Sequence, residues 1–181
     1  MKIAVIHNFD SHDRFDRLMQ EFIGQDIRHY QIFPAIHDQY SVMKGINLAH
    51  KQCVQFAKDN GLKEICIIED DVRFTNPNSF KYFLENKPKD FDIYLSGIYL
   101  GEILEDNSVK SFTGFHCYIV NERFYDKYLS VPDDEHIDRA LSNLGKYYVC
   151  NPFAAIQYNG FSYNTKMDMN YDDLLKGREL Y

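Results

Sequence analysis

The chain has 181 residues, 45% of them hydrophobic, with 14 Tyr and 14 Phe. That is enough apolar material for one domain with its own core, and it excludes a disordered chain. Lys and Arg number 20 against 27 Asp and Glu, a net charge of −7. So acidic a chain lacks the basic face of a phosphate-backbone binder, and no nucleic-acid partner is expected.

A ligand that carries phosphates remains compatible with this charge if a cation mediates the contact. The four cysteines, Cys53, Cys66, Cys117 and Cys150, form no C-x-x-C pair. Neither a zinc site nor a redox motif is expected, and reduced thiols in a reducing, cytoplasmic compartment are the plain reading. MKIAVIHNFD is too short an apolar stretch for a signal-peptide core, and no apolar run approaches membrane-spanning length. A peripheral membrane contact stays open.

In chain order, Ile3 to Ile6 reads as a buried strand. Phe15, Leu18, Met19, Phe22 and Ile23 recur at helical spacing up to Gly24. Ile27 to Phe33 reads as a second strand, closed by Pro34. In SVMKGINLAHKQCVQFAKDNG, residues Ile46, His50, Cys53 and Ala57 share a helix face and Gly61 ends the helix. Glu64 to Ile68 is a third strand, Asn76-Pro77 opens a short helix through Leu84, and Phe91 to Ser96 is a fourth strand. Gly97 to Asn107 reads as a loop and Phe115 to Val120 as a strand. Asn121 caps a helix through Leu129, and Pro132 to Asp134 opens a helix through Leu144. Tyr147 to Cys150 is the last strand, and a tail of loops with one short helix follows Pro152. The β-α-β-α-β-α-β order of the first half predicts an α/β sheet with helices on its faces, and ligands bind beyond the carboxyl ends of such strands.

The stretch ICIIEDDVRF stands out, because an apolar run passes directly into Glu69, Asp70 and Asp71. Carboxylates this close need a cation or must take up protons. A hard divalent ion, Mn²⁺ or Mg²⁺, satisfies them and keeps coordination positions for substrate phosphates. The plain alternative is a solvated acidic turn, with Asp71 paired to Arg73 or a lysine.

Five blocks together resemble the family 25 glycosyltransferases, the enzymes of lipooligosaccharide synthesis and their collagen galactosyltransferase relatives. They are KIAVIHNFDSHDRFDR, GINLAHKQCVQFAKDNGLKEICIIEDDV, GFHCYIVNERF, HIDRAL and YYVCNPFAAIQ. The resemblance runs from Lys2 to about Ser162. It implies a single-domain GT-A-like fold over residues 1–181, Rossmann-like, with a mostly parallel central sheet and helices on both faces. Residues 1–100 would be the nucleotide-binding half and 101–181 the acceptor and metal-site half. The activity implied is metal-dependent transfer of a sugar, galactose being common in the family, with inversion. The donor would be a nucleotide sugar such as a UDP-sugar, and the acceptor a saccharide or glycolipid. The chain departs from the family pattern at Ala49, where the family has Ser before the helix histidine, and at Phe15, where it has a second Arg.

On that resemblance Asp71 is the expected metal ligand, with Glu69 and Asp70 completing the acidic motif and one of them reaching the ribose or a metal-bound water. Arg14 would fork onto the diphosphate or stack on the base, or else pair with Asp10 or Asp13 on a helix surface. His7 and Asn8 would hydrogen-bond the base. His50 would lie at the nucleotide side, or serve as a satisfied core histidine. Asp138 is the candidate general base, with Asp134 and Glu135 as rivals, or else an acidic residue that merely favours a helix start. His116 would face either the sheet end or the core. Gly160-Phe161-Ser162 would close over the donor or form a simple turn. A sugar nucleotidyltransferase would carry a glycine-rich loop after the first strand, and HNFDSHD contains no glycine. A catalytically inactive GT-A-fold protein that binds carbohydrate or takes part in assembly is the remaining alternative.

Overall fold

KIAVIH forms β1 (Lys2–His7), whose alternate side chains enter two different cores. The structure, a computed structural model, describes all 181 residues. After β1 come α1 (His12–Gly24), β2 (Gln31–Pro34), α2 (Val42–Asp59), β3 (Glu64–Glu69), β4 (Val72–Phe74), α3 (Ser79–Glu85) and β5 (Ile93–Leu95). A small hairpin of β6 (Glu102–Ile103) and β7 (Val109–Lys110) leads to β8 (Cys117–Asn121), a 3-10 turn over Glu122–Phe124, α4 (Tyr125–Ser130) and α5 (Ile137–Leu141). The chain ends with β9 (Tyr147–Val149), β10 (Ala155–Gln157), the hairpin of β11 (Gly160–Ser162) and β12 (Met167–Met169), and α6 (Tyr171–Leu174).

Six strands form one sheet in the order β2-β1-β3-β8-β5-β9. β8 runs antiparallel to both its neighbours, and all other pairings are parallel. On one face Ala4, Ile6, Ile65, Ile67, Tyr118 and Val120 pack against α2, α4 and α5. On the other face Val5, Cys66, Ile68, Ile119 and Tyr94 meet α1 and α3. Each large side chain buried this way contributes about 1.5–3 kcal/mol. Helices therefore cover both faces, and the sheet is mostly parallel. The sheet does not part at residue 100, because β8 lies between β3 and β5, so the two halves expected from the sequence interleave.

Four segments fold differently from what their local sequence suggests. Ile27 belongs to the turn that ends α1, with its N–H bonded to Phe22 O at 2.9 Å after Asp26 at φ 55°, so the second strand starts only at Gln31. Asn76 and Pro77 lie in a turn closed by the Ser79 hydroxyl on Asn76 O at 2.7 Å, and α3 begins after Asn78 in the left-handed region. The helix expected from Pro132 to Leu144 is only the five residues of α5, because side chains of α2 take up the carbonyls of the preceding segment. The loop after Gly97 contains β6, and the tail contains three strands, of which β10 pairs antiparallel with β4.

The first turn of α2 presses on the chain that leaves β2. A methyl group on Gly45 would stand 2.2 Å from Ile36 O. Gly45→Ala is expected to lower stability by about 1–3 kcal/mol in urea denaturation, the usual cost of overpacking.

Candidate active site

The parallel strands β1 and β3 end side by side, and a cleft of about 420 Å³ opens above them. β3 carries Glu69 to its last position, and the turn into β4 holds Asp70 and Asp71. The other walls come from the loop after β1, the start of α2, the Tyr99 and Gly114 loops, α5 and the β11–β12 hairpin. The depression of about 520 Å³ on the β9 edge is larger. Its carboxylate Asp90 is already bonded to Lys146 at 2.6 Å and to Arg123 at 2.5 Å, whereas the carboxylates of the cleft keep open surface.

The three carboxylates have different surroundings. Asp70 is buried and committed within the protein. Its Oδ2 meets His7 Nδ1 at 2.8 Å and accepts from the Asn8 N–H at 2.9 Å, and its Oδ1 accepts from Arg14 at 3.1 Å. Asp70 thus pins the end of β1 to the end of β3. Glu69 and Asp71 keep 25% and 14% of their side-chain surface open to the cleft. One amide links them: Gln157 Nε2 donates to Glu69 Oε2 at 3.2 Å and to Asp71 Oδ1 at 3.0 Å. Arg14 also donates to Asp71 Oδ2 at 3.2 Å, and its second nitrogen donates to Phe161 O at 2.7 Å.

Charge is unbalanced here. At the acidic turn Arg14 is the guanidinium that bonds the carboxylates, and burial pushes the pKa of His50 down to about 4 and leaves it neutral. Desolvation, then the charges of Asp70 and Asp138, push Glu69 up to about 8 against the opposing pull of Arg14. Desolvation and Glu69 push Asp71 up to about 7. Arg14 is pushed above its ordinary value, desolvation being outweighed by Asp71 and Asp70.

His50 braces Glu69 from behind. Its Nε2 lies 3.0 Å from Glu69 Oε1, its Nδ1 lies 2.7 Å from the Tyr118 hydroxyl, and Tyr118 lies 2.7 Å from the Tyr128 hydroxyl. With Glu69 ionised, the neutral ring donates from Nε2, so Tyr118 donates to Nδ1 and Tyr128 to Tyr118. Asp138 stands in the wall of the cleft, with Oδ2 accepting from the Gly114 N–H at 3.1 Å and Oδ1 from its neighbour's N–H at 2.8 Å. Its rivals Asp134 and Glu135 are exposed and do not line the cleft.

The structure brings Glu69, Asp70, Asp71, Arg14, Asn8, His50 and Asp138 to one cleft. Other placements differ from the sequence reading. His7 is 3% exposed and lies behind Asp70, outside the cleft lining, so it supports the acidic turn and does not reach a base. Asp70, with three internal donors, is a structural pin. Asp71 pairs with Arg14, while Arg73 pairs with Asp172 at 2.5 Å. Arg14 turns inward to the acidic turn and does not pair with Asp10 or Asp13. His116 is a core residue, with Nε2 bonded to Ala155 O at 2.9 Å and a pKa pushed down to about 4 by burial. Gln157 has no role in the sequence reading. Its only signal there is its place at the end of the YYVCNPFAAIQ block, and the pairing of β10 with β4 brings it to the carboxylates.

Glu69 and Asp71 fit a hard divalent ion in donor type and charge, since both are oxygen donors in a pocket short of positive charge. No group of three or more His, Cys, Asp and Glu side chains is spaced to enclose a metal, so the protein would supply a pair of carboxylates and no complete cage.

No protein-family model and no curated protein matches the chain. Solved structures share its fold at low identity. A197 from STIV is 10% identical with a TM-score of 0.53, over 87% of this chain and 86% of that one. HddC from Yersinia pseudotuberculosis is 16% identical with a TM-score of 0.51, over 86% and 71%. A mutant of Drosophila beta1,4-galactosyltransferase 7, in complex with manganese, UDP-Gal and xylobiose, is 16% identical with a TM-score of 0.50, over 98% and 80%. The likeness shows a shared mixed α/β fold with a mostly parallel central sheet. No helix is long and apolar enough to cross a membrane.

The raised Glu69 pKa has a consequence for stability. Below the ordinary value of 4.5 the group is protonated both folded and unfolded. Between 4.5 and about 8 the unfolded chain releases the proton while the folded chain keeps it, so stability falls as pH rises through this window. Glu69→Gln is therefore expected to melt higher than the wild type at pH 8, with the difference fading towards pH 4.5. Mn²⁺ is expected to raise the wild-type melting temperature at pH 8 and to have little effect on the variant. Thermal denaturation across pH, with and without Mn²⁺, checks both outcomes.

Proposed function

We propose that the chain is a metal-assisted glycosyltransferase that moves a sugar from a nucleotide-sugar donor to a saccharide or glycolipid acceptor. The observation that carries this reading is the pair Glu69 and Asp71, at and just after the end of β3, lining one cleft together with Asp138. The five sequence blocks support the finer choice of a family 25 hexosyltransferase acting in lipooligosaccharide synthesis. They also support a UDP-sugar donor, galactose as the sugar and inversion at the anomeric carbon. A fold neighbour solved with manganese, UDP-Gal and xylobiose supports the same ligand class.

Glu69 and Asp71 would hold Mn²⁺ or Mg²⁺. Such an ion, when bound, offsets the charge that builds on the leaving nucleoside diphosphate. The chain's own residues account for the rest. Arg14, beside Asp71, meets the diphosphate with a fixed positive charge. Asn8 lines the cleft at the end of β1, on the nucleotide side. His50, held by Tyr118, keeps Glu69 turned to the cleft. Asp138 accepts the proton of the acceptor hydroxyl at a carboxylate oxygen as that hydroxyl attacks the anomeric carbon. The two backbone N–H groups on Asp138 fix its orientation and leave each oxygen with accepting capacity. The β11–β12 hairpin, joined to the floor through Arg14 and Phe161 O, walls the donor off from water.

One observation favours a second reading. Arg14 and Gln157 already satisfy part of the acidic pair without any ion, as a carbohydrate-binding protein with an inactive centre would require. A screen of nucleotide sugars for binding and hydrolysis, with and without Mn²⁺, separates the two. Turnover that requires Mn²⁺ and is lost in Asp71→Asn is the expected result. Binding that ignores Mn²⁺ and yields no hydrolysis supports the inactive reading, and no binding of any nucleotide sugar removes both. Asp138→Asn is expected to lower kcat by about 10²–10⁴-fold, with the donor KM little changed, the range for loss of a general base.

A further inference from the structure

The segment 131–135, just ahead of α5, belongs to no helix or strand, and Asp133 and Asp134 form a turn within it. Side chains of α2 hold it. Asn47 Nδ2 donates to Pro132 O at 2.8 Å and to Glu135 O at 3.1 Å. Lys51 Nζ donates to Val131 O and to Asp133 Oδ1, both at 2.5 Å. Asn47 is fully buried and Lys51 is 9% exposed. A lysine amine in so dry a position is costly unless its donors are used, and these two acceptors take two of its three.

Asn47 and Lys51 are four residues apart and so share one face of α2. His50, the residue before Lys51, points from the same helix to Glu69 at 3.0 Å. One rigid helix thus grips both sides of the cleft. Through His50 it holds Glu69 at the end of β3, and through Asn47 and Lys51 it holds the strap that delivers Asp138. Only two residues separate the last gripped carbonyl, that of Glu135, from Asp138.

We propose that Lys51 and Asn47 are positioning residues that set the distance between Asp138 and the Glu69–Asp71 pair by clamping residues 131–135 to α2. This rests on the glycosyltransferase reading. They touch neither donor nor acceptor, and their effect passes through Asp138 alone. The clamp therefore acts on the proton-accepting step and not on donor binding.

The test is a double-mutant cycle on the nucleotide sugar that passes the Mn²⁺ screen, with water or saccharide as acceptor. Lys51→Met is expected to lower kcat on the order of 10- to 100-fold, the cost of a small misplacement of a reacting group, with donor KM and Mn²⁺ dependence unchanged. Lys51→Arg, which keeps a buried cation with several donors, is expected to restore most of the loss. In an Asp138→Asn background the same Lys51→Met change is expected to cost less than about 2-fold, the scatter within which independent changes add, so that the shortfall measures the coupling. Should Lys51→Met fail to fold, Asp133→Asn, at the exposed end of the clamp, is read in the same cycle. Equal losses in both backgrounds, a rise in donor KM in place of a fall in kcat, or no loss at all would overturn the clamp. A wild type that turns over no nucleotide sugar removes the glycosyltransferase reading and the clamp with it. A wild type that needs Asp138 but not Lys51 removes the clamp alone.

Discussion

Two carboxylates, Glu69 and Asp71, are held in a partly dry cleft where the guanidinium of Arg14 bonds one of them, Asp71. Ionised groups repel at this range, and desolvation adds to the cost, so the pair either takes up a proton or attracts a positive charge. Much of the surrounding structure reduces that cost in part. Arg14 approaches from α1, Gln157 places one amide between the two, and His50 meets Glu69 from α2. These donors lessen the repulsion without removing it, which is the property a site needs if it is to keep an affinity for a cation.

Asp70 shows how position within three adjacent acidic residues divides labour. Successive residues at the end of a strand point in different directions. Glu69 and Asp71 look into the cleft, while Asp70 turns back and gathers His7, the Asn8 N–H and Arg14. The middle carboxylate is thereby a fastening between two strand ends, and its flanking partners are left open to a ligand. His7, at the end of β1, serves the same fastening.

Much of the fold was legible because its signals are local. The apolar runs of β1 and β3, the helical spacing of α1 and α2, and the position of Glu69, Asp70 and Asp71 at a strand end follow from periodicity and length alone. Short elements were misread where a side chain from elsewhere competes for the backbone. Asn47 and Lys51 take the carbonyls that a longer α5 would have needed, and the turn ending α1 claims Ile27.

By itself the sequence determined that an apolar strand ends in three carboxylates, and that the chain is acidic with four cysteines in no C-x-x-C pair. Only the tertiary structure decided which carboxylate is consumed internally, that Arg14 turns inward, and that Gln157 reaches the pair across 86 residues of chain. Strand ends and helix faces are set by neighbours along the chain. The balance of charge in a cleft is set by groups distant in sequence and adjacent in space, and no periodicity records which of them meet.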